Sequence, residues 1–570
     1  MDNAPRNESQ ISYHRRRLEE LKRVRQPWET IWQPLADYIE PTRLRLTNKD
    51  EGATSRAKII DSTGTFSLRT LQSGMHSGLT SPARPWFRLT TFDTDLKDFA
   101  PVKEWLSQVE MRMREVFQSS NLYTSFHTGY GDLGQFGQAV SIMSEDDKEV
   151  IRMQSMIHGR FWIARDEKGR LTTLYRQFRW SVVRIIGYFG YDKVKAISST
   201  IASAYDNGKY DDIYDVYHAI EPRLNRDQSK PDKANKPFLS NYWIDASKGG
   251  VSDGLLRESG FDENPLIGPA WELVGEDHYA LAPGMVALGD VKMLQLEQQR
   301  KLEAIDKLVR PPMTGPTSMR NNPASLLPGA LTLVDDPTGK GYRPAMEVNL
   351  RLAELAQDIR DTQDRIRQAF YADLFLMLSN MEGIQPRNTF EIAERKEEKL
   401  LALGPVLENI YNSQLEPTIE RTFAILMRRG ELPPAPAEVQ GKDLKIEYTS
   451  MLAQAQKAVA TGALERGVAF IGQISAVKPD VLDKLDADEA VDQYWDMLGA
   501  PPATLVPDDE IKKVRDARAQ KQQMADNAAM MSAVAPAAKQ GADAAAVLAD
   551  AQNNPGAGDL LNRLGIGAAI

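Results

Sequence analysis

The chain contains no cysteine, which excludes disulfides, thiolate metal sites and cysteine nucleophiles and suits a reducing compartment. Its six histidines, His14, His76, His127, His158, His218 and His278, are scattered. None forms HExxH or a pair at metal-ligand spacing, so no metal centre is expected. No GxxxxGK(S/T) phosphate loop occurs, which leaves ATP hydrolysis without a seat. The N-terminal stretch MDNAPRNESQISYHRRRLEELKRV lacks the apolar core of a signal peptide. Nowhere do the about 18 apolar residues of a membrane span run uninterrupted, so a soluble product is expected. Nor is positive charge in excess: 70 Lys and Arg stand against 79 Asp and Glu, a net charge of −9. A protein that coats nucleic acid is basic, so tight static DNA binding is disfavoured while transient passage of DNA is not.

What is present is an ordinary globular composition, 42% apolar and 26% charged, in 570 residues. One hydrophobic core seldom grows to that size, so two to four packed units are expected. Residues 1–9 read as a loose arm. A basic helical pattern runs from Ser12 to about Arg25 and continues with Trp28, Ile31, Trp32 and Leu35 on one face. A helix is predicted from Ser62 to Leu79, capped by Asp61 or Ser62 and stopped at Ser81-Pro82, and an amphipathic one over 101–119. Strand patterns follow in VIRMQSM and in GRFWIARDEKGRLTTLYRQF, the latter a hairpin. Residues 180–207 read as helix and 208–275 as a β-rich insert with polar loops. Long helices are predicted over 285–310 and 347–378, flanking an irregular or short-stranded tract at 313–346. Further helices are expected over 389–430, 452–475 and 487–498. Beyond about residue 508 the Ala-, Gln- and Asp-rich tail is expected to be partly helical and partly poorly ordered. This plan is unusual for an enzyme and suits an elongated oligomer.

The motifs that imitate chemistry have structural readings. GYGDLG, Gly129 to Gly134, matches the dinucleotide fingerprint GxGxxG, but a helical pattern precedes it where the mechanism needs a strand. Ser55 to Lys58 satisfies SxxK without the SDN or KTG that should follow. The acidic runs SEDDKE and YDDIYD read as solvated faces or turns. His76-Ser77 raises the question of a nucleophile with its base, yet Ser77 sits inside a helical pattern and not on a strand-to-helix elbow. Ser73 and Ser77, like Gly74 and Gly78, are spaced i, i+4 and form a strip of small residues beside Leu71, Met75 and Leu79. That strip fits close packing against a neighbour, in the same chain or in another copy.

The stretch LQSGMHSGLTSPARPWFRL resembles the signature of the head-to-tail connecting, or portal, proteins of short-tailed bacteriophages. The resemblance continues in order through GRFWIARDEKGRLTTLYRQF, PGMVALGDVKMLQLEQQRKLEAIDKLVRPPM, QAFYADLF, LGPVLENIYNSQLEPTIERTFAILMRRGELP and YTSMLAQAQ, across roughly residues 10 to 520. The chain departs from the pattern at NTFEI, 388–392, and loosely matches over 208–275. The resemblance implies an α+β, mainly helical subunit with long stem and wing helices, a hairpin-containing wing and a β-rich clip, assembling into a ring, usually a dodecamer. By order, 1–179 would be the N-terminal wing region, 180–207 the first stem helix, 208–284 the clip and 285–312 the second stem helix. Residues 313–346 would hold wing strands and a channel-facing loop, 347–384 the long wing helix, 385–507 wing and crown helices, and 508–570 the tail.

The implied role is non-enzymatic: a channel at one capsid vertex through which double-stranded DNA is packaged and ejected. Implied partners are other copies of the chain, DNA, terminase, tail and adaptor proteins, major capsid and scaffolding proteins and internal core proteins, with no cofactor and no membrane. The implied location is the virion's portal vertex, with assembly in the host cytoplasm. Twelve chains at −9 each total about −108, and such an acidic bore avoids holding DNA through many phosphate contacts. Lys340 and Arg343 are candidates for sparse phosphate contacts, with Lys292, Arg300, Lys301, Lys307 and Arg310 as alternatives on the stem helix. Each of these charges also fits a merely solvated position. Two other classes, a nucleic-acid-processing enzyme and a monomeric scaffold or adaptor, compete with the channel reading.

Overall fold

A computed structural model describes residues 9–46, 58–93, 96, 99–230, 232–244, 254–309, 313–314, 343–344, 352–379, 403–450, 452, 467–475, 478–498, 506 and 511–525. The chain divides into two units, residues 1–460 and 461–570.

The first unit is built around one large core flanked by two smaller apolar clusters. Helix α1 (Gln10–Tyr38) opens on Ser9, whose side chain accepts from the Ser12 amide, and it runs through Pro27 and Pro34. Its two halves serve different clusters. Ile11, Leu18 and Leu21 pack with Trp162, Tyr175, Tyr217 and Trp243, whereas Trp32, Leu35 and Ala36 enter the main core. Helix α2 (Thr63–Leu79) matches the predicted tract, with Asp61 Oδ1 accepting from the Thr63 amide and hydroxyl. Helices α3 (Ala100–Ser119) and α4 (Leu122–Phe136) follow. GYGDLG lies wholly inside α4, so no strand presents it to a pyrophosphate. Its glycines serve packing instead: a Cβ on Gly134 would sit 2.4 Å from Leu71 Cδ2 of α2, and one on Gly131 2.8 Å from Arg43 Nη2.

Strand β1 (Phe87–Thr91), entered from buried Trp86, pairs antiparallel with β12 (Leu444–Tyr448), which joins the two ends of this unit. Strands β2 (Ser141–Asp146), β3 (Val150–Ser155) and β9 (Leu266–Ile267) form a small sheet in the order β3-β2-β9. The principal sheet is antiparallel and five-stranded, with β4 (Phe161–Arg165), β5 (Leu171–Ser181), β6 (Ile213–Pro222), β7 (Phe238–Ile244) and β8 (Arg257–Phe261) in sequence order.

This sheet changes two expectations. The hairpin at 161–181 does not stand apart from the β-rich 208–275: Leu174 to Ser181 pair with Ile220 to Ile213, so the two are one layer. The tract 180–207 is not one helix. Its first residues complete β5, and three short helices follow, α5 (Val182–Phe189), α6 (Tyr191–Ile197) and α7 (Ser199–Asp206). Gly190, at φ +86°, ends α5. Ser198 has extended backbone and caps α7 by accepting from the Ile201 amide. Val182, Ile185, Val194, Ile197 and Ile201 of these helices are buried against Trp180, Tyr214, Val216 and Tyr242.

Helix α8 (Pro283–Val309) takes the place expected for the 285–310 helix. The tract expected as a single helix over 347–378 is two, α9 (Leu352–Ala369) and α10 (Ala372–Ser379), separated at Tyr371, whose φ is +53°. A helical stretch over 403–410 passes through a wider π turn, Tyr411–Leu415, into α11 (Glu416–Arg429), which Gly430 ends in the left-handed region. Of the predicted 389–430 helix, residues 389–402 lie outside the described residues, as do 453–466 of the 452–475 helix. The second unit holds helical residues 467–475, α12 (Ala487–Leu498) and a helix over 511–525, where Arg515 pairs with Asp488 at 2.5 Å. The rest of the expected tail lies outside the described residues.

Candidate functional site

Asp61 fastens α8 to its surroundings. Its Oδ2 accepts from Gln298 at 2.8 Å and from Gln363 of α9 at 2.9 Å, while Oδ1 serves the start of α2. Gln295 completes the joint, accepting from the Ile60 and Asp61 amides at 2.7 and 2.8 Å and donating to the Asp61 carbonyl. Burial works to raise the Asp61 pKa, but hydrogen bonds from Thr63, Gln363 and Gln298 outweigh it and hold the carboxyl below its usual range. Arg365 of α9 adds an ion pair to Asp290 at 3.2 Å.

Beyond that joint α8 leaves the core. At 3.6 residues per turn, Ala287, Val291, Leu294, Leu302, Ile305 and Val309 fall on one stripe. The first three are buried, but Leu302 is 58% and Val309 72% exposed, and Ile305 and Leu308 are also exposed. The apolar stripe therefore continues past the elements that cover it. Lys292, Arg300 and Lys307 lie on the opposite side of the helix and are exposed, and Lys301 is half-buried between the faces. Lys292 Nζ sits 5.7 Å from the Tyr38 ring. Among the described residues none of these four lysine and arginine side chains has a carboxylate within ion-pair distance.

The tract after α8 is closed at its base. Strands β10 (Met313–Thr314) and β11 (Arg343–Pro344) pair antiparallel, Thr314 opposite Arg343. Arg343 is thus at the foot of the tract expected to carry the channel-facing loop. Lys340 and Arg310 lie outside the described residues.

The small-residue strip divides in two. Gly74 and Gly78 face side chains of the same chain: a Cβ would fall 2.2 Å from Phe375 Cγ at Gly74 and 2.8 Å from Leu452 Cδ1 at Gly78. Ser73 and Ser77 are exposed, and the Ser77 hydroxyl donates to the Gly74 carbonyl at 3.2 Å. His76 instead packs among the rings of Tyr123, His127 and Tyr130. Burial, then the nearby His127, holds its pKa below the usual value. No nucleophile–base pair forms there. Two further histidines are held in the packing: His14 bonds Tyr175 Oη at 2.9 Å and Asn241 at 3.0 Å, and His158 stacks on Phe136 at 4.3 Å.

One cluster escaped sequence reasoning. Arg45, Arg160, Arg176, Arg179 and Arg184 line a common recess. The segment RQFRWSVVR, 176–184, alternates guanidiniums with Phe178 and Trp180 and was the available signal. Among the described residues no group of three or more His, Asp or Glu side chains could hold a metal ion, and no helix is long and apolar enough to cross a membrane.

What the described residues define is a mixed helix-and-sheet fold in which the apolar stripe of α8 continues into exposed positions. The family model for the bacteriophage head to tail connecting protein matches residues 13–506, and the chain belongs to that family. It is 44% identical over 528 residues to the portal protein of Salmonella phage epsilon15, covering 92% of this chain and 94% of that one. It is 45% identical over 534 residues to the probable portal protein of Bordetella phage BPP-1, covering 93% of each. Among solved structures, a chain in the neck of an empty GTA particle is similar over 78% of this chain and 91% of that one, at 13% identity and a TM-score of 0.34.

Proposed function

We propose that this chain is the subunit of a portal, a ring of usually twelve copies at one capsid vertex whose bore passes double-stranded DNA during packaging and ejection. The observation that carries the reading is the continuous likeness, at 44% and 45% identity, to two phage portal proteins over more than nine-tenths of the chain. The bare apolar stripe at Leu302, Ile305 and Val309 supports it. Apolar area in water is unfavourable by about 25 cal/mol per Å2, and another copy is the cover that a closed ring supplies at every subunit alike.

In this reading α8 is the second stem helix, α9 and α10 cross the wing, and the long tract between β10 and β11 reaches the bore. The cations on the far side of α8, together with Lys340 and Arg343, make few and weak phosphate contacts, so DNA slides and is not held. The proposed clip shares one sheet with the wing hairpin, so a force on the clip reaches the wing through strand pairing. Terminase, and later tail and adaptor proteins, dock on the clip; capsid, scaffolding and internal core proteins surround the wing and crown. The chain performs no catalysis. Electron microscopy of the purified protein tests the reading: a ring with a bore that admits a duplex is expected, and a monomer that never closes refutes it. Without added terminase, no ATP hydrolysis is expected.

A further inference from the structure

Among the described residues, three of the five buried arginines, Arg25, Arg223 and Arg421, and the half-buried Arg43 are paired with carboxylates. Arg43 is 3.0 Å from Asp132, Arg25 2.6 Å from Glu29, Arg223 3.3 Å from Glu258 and Arg421 3.0 Å from Glu263. The reason is the high cost of taking a lone charge out of water. Arg165 has instead the carbonyl oxygens of Gly169, Gly268 and His278. Arg176 fits neither pattern. It is 5% exposed, and its polar neighbours are His218 Nδ1 at 2.9 Å, Tyr242 Oη at 3.5 Å and Met156 Sδ at 3.6 Å. None of them is an anion. His218 is spent on Arg176 and on Ser240, with which it makes a 2.9 Å hydrogen bond.

Arg176 forms part of the wall of a recess of about 260 Å3. Four more arginines line it, and among the described residues that line it there is no Asp or Glu. Arg45 Nε is buried there with no hydrogen-bond partner. Arg184 is exposed, its guanidinium 4.6 Å from the Trp180 ring, and Arg176 lies 4.4 Å from the Phe178 ring. In a chain of net charge −9, this is a local field of opposite sign, focused by a concave wall.

The shape and lining narrow the anion. Whole small-molecule sites run to about 300–1,000 Å3, so this recess takes part of a larger molecule. A duplex presents its phosphates on a convex surface and meets stripes of cations. The two rings each carry a guanidinium over a face, which removes the platform on which an unpaired base would stack. Met156, Ile157, Phe178 and Trp180 also line the recess, and the C–H edges of a sugar–phosphate strand offer them less apolar area than aliphatic side chains do. A peptide does. We propose that this recess docks an extended Asp/Glu-rich peptide segment of a partner protein, its carboxylates gripped bidentately by the guanidiniums and its intervening apolar side chains seated on Met156 and Phe178.

The test uses the full chain in the assembly it forms and follows fluorescence anisotropy of a labelled Glu/Leu dodecapeptide. Its Gln/Leu counterpart, a labelled single-stranded dodecanucleotide and competing inorganic phosphate are run beside it. The Glu peptide should bind saturably, weaken as salt rises and lose about tenfold in affinity with Arg184→Gln, a charge-assisted hydrogen bond being worth roughly 1.5–3 kcal/mol. Arg184→Lys should recover only part of that loss, because an ammonium has no fork. Arg184 is exposed, so these variants keep the fold, whereas Arg176 variants risk it. Equal binding of the Glu and Gln peptides, or no effect of Arg184→Gln, overturns the proposal. Tighter binding of the oligonucleotide than of the Glu peptide assigns the recess to nucleic acid and also overturns it. A change of oligomeric state in Arg184→Gln with peptide binding intact assigns it to contact between copies, with the same consequence.

Discussion

Replacing Gly74 by alanine puts a methyl group 2.2 Å from Cγ, 2.3 Å from Cδ1 and 2.5 Å from Cβ of Phe375. Carbon atoms rest at about 3.5–4.0 Å, so the ring has to retreat by roughly 1.3 Å. Phe375 is only 4% exposed and lies in the main core, so it has no solvent to swing into. Overpacking of this kind costs about 1–3 kcal/mol, and the clash is severe enough to place it at the upper end. Alanine's better helix propensity offsets about 1 kcal/mol, leaving a net loss of about 2 kcal/mol. Ser77→Ala, at an exposed position on the same helix, is the control and should stay within about 0.5 kcal/mol. Phe375→Ala removes Cγ and Cδ1, the two atoms nearest the new methyl, so it should cost less in the Gly74→Ala background than in the parent chain, a coupling expected only between residues in contact. Urea titration followed by tryptophan fluorescence measures the parent chain, the three single variants and the double variant. A Gly74→Ala midpoint at or above that of the parent chain refutes the packing argument.

Acid should loosen the first unit. Burial, and then Arg223, lower the His14 pKa to about 4, and burial with Arg43 and Arg25 lowers that of His158 to about 3. The unfolded chain, titrating near 6.5, binds more protons between those values, so stability is full above about pH 6.5 and falls as pH drops toward 4. For His14 alone the loss reaches about 3 kcal/mol, and His14→Gln should flatten the urea midpoint's dependence on pH in that window. On α8, Leu302→Asp with Ile305→Asp should leave the monomer folded by circular dichroism and abolish association in sedimentation velocity; undiminished association would show that the stripe is not covered. Lys340→Ala with Arg343→Ala should leave assembly intact and impair DNA packaging or retention in a phage complementation assay. Normal phage yield removes those two residues from the DNA-contact set.

Elements held by local pattern were readable from the chain. Helix α2 follows its apolar period and its stop at Ser81-Pro82, the 487–498 helix matches residue for residue, and α8 follows the helical spacing of Leu288, Val291 and Leu294. The break at Gly190 was written in the sequence as a glycine inside a helical pattern, and its φ of +86° is one that residues with a side chain rarely adopt. The merger of β5 with β6 depends on pairing between residues up to 46 positions apart, as Leu174 with Ile220. No local period reports such a contact. Tyr371 at φ +53° gives no signal at all, since tyrosine ordinarily continues a helix there.

The arginine recess was hidden for the same reason. Arg45, Arg160 and Arg176 meet only after the chain at Leu44 and Arg45 has paired beside His158 and β4 has paired with β5. Conversely, His76-Ser77 looked like chemistry because adjacent letters imply contact, whereas neighbours in a helix point to different faces. The structure directs the hydroxyl to Gly74 and the imidazole to Tyr130.

The most direct measurement is cryo-electron microscopy of the purified, full-length protein. The account predicts a closed ring with a central bore that admits a duplex, in which a neighbouring copy covers Leu302, Ile305 and Val309. A monomer, an open filament, or a ring that leaves this stripe of α8 in water would contradict it.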